Sequence, residues 1–300
     1  MITEIPYGGW QHALQLANDE IELVVTLDVG PRIIRFGFIG GANVMKEYPE
    51  QLGGAGESEW MIRGGHRLWH APEAKPRTYS LDNVPVCFEK LGDYGVQLTQ
   101  KPEDDNGIQK EIDITMAADA NLVTLTHRLT NISPWAIELA PWALTVTDAG
   151  GMLIVPLPAR RPHTEVLTPA FPLVLWPYTD MTDSRLNFGS RYFTLAQDKA
   201  KGPTKFGMAL ELGWAAALVH GMLFVKYFDF DPNALYPDSG CNFETFTNEE
   251  MLEVESLGPL TVLEPGDTVE HDETWRIFNN VPPVTGEDDI DRRIRPLIEG

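Results

Sequence analysis

The chain has 300 residues, 43% of them hydrophobic and 10% aromatic, enough apolar side chain for a sizeable core and far from a disordered composition. Its 23 Lys and Arg stand against 44 Asp and Glu, so the net charge of −21 repels a polyanionic backbone and excludes nucleic acid as a partner. The most apolar run, "WAAALVHGMLFVKYF", is broken by His220, Gly221 and Lys226 and is shorter than the roughly 18 residues a membrane span needs, so no membrane role is expected.

The opening "MITEIPYGGW" has an acidic residue at position 4 and none of the basic, apolar and small-residue regions of a secretory leader, which makes the cytoplasm the expected location. Short apolar runs with two-residue alternation then recur: "IELVVTLDVG", "PRIIRFGFIG", "KEIDITMA", "LVTLTHRLTN", "RYFTLAQ", "MLFVKYFDF" and "MLEVESLG". Turn signals such as "DVGP", "LGDYG", "DDNG", "DAGG" and "YPDSG" separate them, and 26 Gly and 23 Pro break the chain too often for long helices. The pattern predicts an all-β fold, one domain over residues 1–300 with its core at about 15–280. The tail "GEDDIDRRIRPLIEG" departs from it. Ile290, Ile294 and Leu297 recur there at helical spacing behind acidic residues, predicting a short C-terminal helix within 287–300. Two long loops, "YPEQLGGAGESEW" and "LPARRPHTEVLTPAFP", are of the kind that often carries function. Cys87 and Cys241 stand far apart with no metal-binding spacing and read as buried, reduced thiols.

Two stretches carry candidate chemistry. In "NFETFTNEEMLEVESLGPL", strand parity sends Leu252 and Val254 one way and Glu253 and Glu255 the other, with Cα atoms about 6.5–7 Å apart. Such a pair is either a solvent-facing edge or a cleft carboxylate whose pKa burial raises toward proton transfer. In "GGHRLWHAPE", Gly64, Gly65 and Pro72 argue against a helix, so extended backbone would hold His66 and His70 roughly 13 Å apart on one face. A zinc set of His66, His70 and Glu73 then needs the chain to fold back. The other readings are a polar loop with Trp69 as a core plug, or a ligand-binding lining in which a histidine moves a proton. Arg32, Arg35, Arg63, Arg67 and Arg77 cluster early, suited to forked hydrogen bonds with hydroxyls or carboxylates, or to pairing with the many acids. Eight tryptophans offer faces on which sugar C–H surfaces stack. No phosphate-loop, dinucleotide, GxSxG or HExxH signature occurs, so no cofactor is expected.

Together these segments resemble the galactose mutarotase-like superfamily, and within it a bacterial branch. "LDVGPRIIRFGFIGGANVM" is similar to the family's opening strands, "IRGGHRLWHAPE" to the "RGG…W" element of hexose-phosphate mutarotases, "HRLTNISPWAIELAPWALTVT" to the strands beginning "LTN", and "MLEVESLGPLTVLEPGDTVEHDETW" to the closing "LET…L.PGE" element. The resemblance spans most of residues 21–278 and implies a large antiparallel β-supersandwich that handles sugars on a concave sheet face. It implies an aldose 1-epimerase-like isomerase in which Glu253 is the base that takes the anomeric hydroxyl proton, while a histidine protonates the ring oxygen. Where the family places a histidine beside an aromatic after the "LTN" strand, this chain reads "APWALTVT", with Trp142. His66 and His70 are therefore the acid candidates, and Arg35, Arg67, Trp69, Glu73, Trp142, Glu244 and Glu255 the expected lining for a small sugar or oligosaccharide. A carbohydrate-binding protein without turnover, and a saccharide lyase or hydrolase using the Glu253/Glu255 pair, are the competing readings.

Overall fold

The computed structural model describes residues 1–300, and its architecture is an all-β sandwich of two large antiparallel sheets. One sheet runs, in spatial order, β1 (Ile2–Tyr7), β2 (Trp10–Ala17), β3 (Ile21–Thr26), β4 (Arg32–Phe38), β5 (Gly65–Ala71), β10 (Ile137–Thr147), β19 (Leu252–Leu257), β18 (Phe243–Thr247), β15 (Thr204–Met208) and β12 (Leu173–Leu175), with β20 (Thr261–Leu263) pairing the start of β10. The second runs β13 (Leu186–Phe188), β14 (Tyr192–Ala196), β11 (Met152–Pro156), β16 (Trp214–Val219), β17 (Met222–Phe228), β21 (Thr268–Phe278), β9 (Leu122–Asn131), β8 (Ile108–Met116), β7 (Gly95–Thr99) and β6 (Cys87–Lys90). No helix is long and apolar enough to cross a membrane.

The alternating runs expected as strands all form strands: β3, β4, β8, β9, β14, β17 and β19. The first sheet begins earlier than residue 15, with the β1–β2 hairpin turning through Gly8 and Gly9 at positive φ of 58° and 104°, the signature of a two-residue primed turn. A core of 41 buried residues draws on the inner faces of both sheets, including Phe36, Leu68, Phe224, Val254 and Trp275. The tail forms helical turns at Glu287–Arg293 and Arg295–Glu299. Their Ile290, Ile294 and Ile298 pack on Ile154, Ala216, Leu223 and Val225 on the outer face of the second sheet. Leu297, expected on that stripe, is only half-buried, and Ile298 takes its place. Cys241 is a buried thiol as expected, but Cys87 is exposed, because it lies on the edge strand β6, whose four residues all face solvent.

The most polar part of the core lies between β5, β10 and β19 of one sheet and β9, β17 and β21 of the other. Lys226 Nζ, fully buried, sits 2.8 Å from Glu273 Oε1 and donates to the Ala143 carbonyl at 3.0 Å. Glu273 also accepts from Trp275 Nε1 at 2.8 Å and from the Ser256 hydroxyl. A carboxylate only accepts, so the Ser256 proton goes to Glu273 and His271 Nε2 must donate to Ser256 Oγ at 2.7 Å. His127 Nδ1 donates to the His271 carbonyl at 2.9 Å, which leaves its Nε2 to accept from His66 Nε2 at 2.8 Å, while His66 Nδ1 accepts from Thr145 at 2.9 Å. Each imidazole is thus a neutral tautomer with one donor and one acceptor. Burial agrees, pushing His66 and His127 below the usual histidine range and His271 down to about 4. Burial alone would raise the Glu273 carboxyl, but the Lys226 charge outweighs it and holds the group well below the usual range.

Two consequences are measurable. Ile294→Ala removes a fully buried side chain and should lower the unfolding free energy in urea by about 2–5 kcal/mol, with Leu297→Ala costing less; equal costs would contradict the helix register. The second concerns acid. An unfolded histidine titrates near 6.5 and folded His271 near 4, so between those values the unfolded chain binds more protons and stability falls as pH falls, by up to about 1.4 kcal/mol per pH unit for each such histidine. Denaturation curves at pH 7, 6, 5 and 4 should show this slope, and His271→Gln should reduce it; an unchanged slope would mean His271 titrates normally.

Candidate functional site

The start of β5 is shaped by three successive residues at positive φ, Arg63 at 50°, Gly64 at 85° and Gly65 at 69°. A Cβ on Gly65 would lie 2.2 Å from the Ile33 carbonyl oxygen and one on Gly64 2.0 Å from that of Lys46, so the two glycines let the chain enter the sheet tightly against its neighbours. From there the period of two divides the strand. His66, Leu68 and His70 face the inter-sheet core, and Arg67, Trp69 and Ala71 face the outer side of the first sheet. The register carries this outer face across the sheet: Arg67 is opposite Leu144, Leu144 opposite Glu255, Glu255 opposite Glu244, and Glu244 opposite Gly207. Trp69 is opposite Trp142 in the adjacent row, and Glu253 is opposite Val146.

On this face an aromatic and ionic cluster forms. Arg67 Nη2 donates to Glu253 Oε1 at 3.1 Å, and its guanidinium lies over the Trp69 ring at 4.5 Å and the Trp60 ring at 5.5 Å. Lys205 Nζ lies 2.7 Å from Glu244 Oε2 and 3.1 Å from Glu255 Oε2, between the rings of Trp142 at 4.7 Å and Trp176 at 4.8 Å. Trp142 Nε1 donates to Glu255 Oε2 at 2.9 Å. Trp60, Trp69, Tyr79 and Trp142 form a chain of edge-to-face contacts with centroids 4.9–5.5 Å apart. Burial, with Glu255 opposite, pushes the Glu244 carboxyl well above its usual range despite Lys205; burial with Glu253 nearby raises Glu255 as well. Burial opposes the Lys205 charge, yet the two glutamates outweigh it and the ammonium is held. Several buried polar atoms in the cluster have no hydrogen-bond partner: Arg67 Nε and Nη1, Trp60 Nε1, Glu244 Oε1 and Glu255 Oε1.

The structure therefore brings together Glu253, Arg67, Trp69, Trp142, Glu244 and Glu255 of the expected residues. Four others lie elsewhere. His66 and His70 are buried on the opposite face of β5, so strand parity removes them as proton donors beside Glu253. Neither ring nitrogen of His70 has a partner, and burial lowers it to about 3. Arg35 is held by Glu22 at 2.8 and 2.9 Å and by the Gly41 carbonyl. Glu73 is exposed and accepts from Tyr79 OH, reaching only the rim. The zinc set of His66, His70 and Glu73 does not assemble, because β5 is extended and Glu73 lies beyond its end. Ligand atoms of His66, His127 and Glu273 do lie within 4.8 Å of one another, but the Lys226 ammonium already supplies the positive charge there.

Lys205, Trp60, Tyr79 and Trp176 were not singled out from sequence. Lys205 stands on a short strand two residues before Gly207, and the three aromatics come from loops and a short helical turn whose place over the sheet depends on tertiary packing. Gly207 has a specific part: a Cβ there would lie 2.7 Å from Cys241 Sγ and 3.1 Å from Glu244 Cγ, so its absence leaves room for both side chains. A cavity of about 850 Å³ lies apart from this cluster beneath the 157–171 loop, lined by Arg160, Arg161, Ser190, Glu211 and Glu287 among others.

Neither protein-family models nor curated protein sequences match the chain. Solved structures do. A galactose mutarotase-like protein from Lactobacillus casei superposes with a TM-score of 0.59 at 9% identity, over 89% of this chain and 100% of that one. Another from Clostridium acetobutylicum gives 0.55 at 10% identity, over 93% and 98%. A provisionally named aldose 1-epimerase of Escherichia coli K12 gives 0.56 at 12% identity, over 88% and 98%. At these identities the likeness is one of architecture, and this chain has the galactose mutarotase-like fold.

Proposed function

We propose that the outer face of the first sheet binds an uncharged aldose and interconverts its anomers, with Glu253 as the base. The observation that carries this is the set of unpartnered donors and acceptors on Arg67, Trp60, Glu244 and Glu255, flanked by aromatic rings. Buried polar groups without partners are costly, and a ring of hydroxyls, each both donor and acceptor, satisfies both kinds while its C–H faces cover the tryptophans. Arg67 and Lys205 are already taken up by the three glutamates, so no cation is left over for an added anion, and the whole chain at −21 repels one.

The chemistry follows from Glu253. Its carboxylate takes the proton from the anomeric hydroxyl as the C1=O1 bond forms, the C1–O5 pair moves to the ring oxygen, and an acid protonates that oxygen. Rotation about C1–C2 in the open aldehyde and reclosure give the other anomer, and both protons return. Arg67 Nη2 holds the Glu253 side chain in place through its hydrogen bond to Oε1. Trp60, Tyr79 and Trp176 sit on loops, so admission of a sugar needs only these covering segments to shift, not the sheet.

Exchange NMR on the anomeric protons of a panel of free aldoses tests the reading. Wild-type protein should accelerate exchange for at least one neutral sugar, and Glu253→Gln should lower that rate about 10²–10⁴-fold while near-UV circular dichroism stays unchanged. Undiminished exchange in the variant would sink the base assignment. Tryptophan fluorescence titration should also show the neutral aldose binding more tightly than its uronic acid; equal or tighter binding of the uronate would contradict the charge argument. The family-type histidine is missing from this face, which favours a second reading, sugar binding without turnover. Saturable fluorescence change with no acceleration of exchange would establish it.

A further inference from the structure

We infer that Glu244 and Glu255, bridged by Lys205, hold one proton between them and are the acid that protonates the ring oxygen opposite Glu253. The inference rests on the mutarotase reading of the same site and supplies the donor that His66 and His70, on the wrong face of β5, do not.

Its basis is the register. Glu244 and Glu255 are directly opposed on neighbouring antiparallel strands, a position that puts Cβ atoms about 4.5–5.5 Å apart and makes like charges unfavourable. Both side chains are fully buried, so water does not screen them. One ammonium lies 2.7 Å from Glu244 Oε2 and 3.1 Å from Glu255 Oε2, and Oε1 of each carboxyl has no partner. One positive charge between two buried carboxyls balances one negative charge; the second carboxyl is neutral when it carries a proton. That proton is carried by a carboxyl whose Oε1 has no other partner, so a ligand oxygen placed against it can receive it. Glu253 differs. Its hydrogen-bonded cation is Arg67 rather than Lys205, and the two functions are separated by which cation each group contacts.

The neighbours of the pair agree with this charge count. Asp238 and Cys241 face Glu244 from the turn before β18, Asp238 adding negative charge, and Glu253 and Arg67 face Glu255. Tyr178, from the loop after β12, feels both carboxyls, and burial raises it to about 12, so it stays neutral below that; Lys226 feels Glu255 from the second sheet but has its own carboxylate in Glu273, 2.8 Å away. In the reaction the shared proton passes to O5 as C1–O5 breaks and Glu253 receives the O1 proton. The pair then carries two negative charges, stabilised by Lys205 and by Trp142 Nε1, until reclosure returns the proton.

The test combines anomeric exchange rates against pH with infrared spectra in the carboxylic-acid C=O region, for wild type, Glu253→Gln, Glu244→Gln, Glu255→Gln and the Glu244→Gln/Glu255→Gln double variant, each checked by near-UV circular dichroism. Wild type should show a bell-shaped profile and a protonated-carboxyl band at pH 7. Glu244→Gln should remove that band, lower the neutral-pH rate at least about 10-fold and move the basic limb to lower pH, since Glu255 without an opposing carboxylate releases its proton more easily; the double variant should lose about 10²–10⁴-fold. An exchange rate and basic limb unchanged in Glu244→Gln, with Glu253→Gln inactive, would overturn the acid role and leave the mutarotase reading standing. Absence of a protonated-carboxyl band in active wild type would also overturn it. A wild type that accelerates no aldose overturns both.

Discussion

Charge removed from water must find a partner within hydrogen-bond distance, and the two sides of β10 and β19 meet that requirement in different ways. Behind β10 and β19, Lys226 and Glu273 neutralise one another while Ser256, Trp275 and the Ala143 carbonyl take up the remaining bonds. In front of the same strands, Arg67 and Lys205 pair with Glu253, Glu244 and Glu255. The rear network satisfies its members with protein groups alone. The front one leaves donors and acceptors over. That difference separates a structural polar core from a candidate binding site, and it is set by which parity of residue each strand presents.

Much of the fold could be read from the sequence because alternation is explicit wherever one face is apolar and the other polar, as in β8 and β9. It fails for strands buried on both faces. In β5 all seven residues are buried, with His66, Leu68 and His70 toward one layer and Arg67, Trp69 and Ala71 toward another, so the run shows no polar side. β2 is ambiguous for another reason: Trp10, Ala13 and Leu14 also fit helical spacing. At the site, the parity of Glu253 and Glu255 was readable, and so was the presence of Arg67, Trp69 and Trp142. The histidines were misplaced because residue type suggested chemistry while the strand's direction sent them inward. Lys205 and the loop aromatics were invisible, since their proximity to Glu255 and Arg67 depends on long-range strand order.

Neighbouring structures share the architecture at about one residue in ten, so they speak to the scaffold and not to the residues on it. The chemistry must come from this chain's own side chains. Glutamates in different ionic environments can divide the work of acid and base by environment alone, and on the proposed reading the glutamate paired with Arg67 is the base while the two above Lys205 share a proton. A histidine on that face is then unnecessary. On the proposed reading the arrangement also restricts what binds, because hydroxyls match the leftover donors and acceptors.

A crystal structure of the protein grown with a neutral aldose tests the central claim most directly. The sugar is expected on the outer face of the first sheet, against Trp69 and Trp142, with its anomeric oxygen within hydrogen-bond distance of Glu253 and its ring oxygen toward Glu244 and Glu255. A sugar seated only in the cavity beneath the 157–171 loop, with the Arg67–Glu253 cluster untouched, would contradict the account.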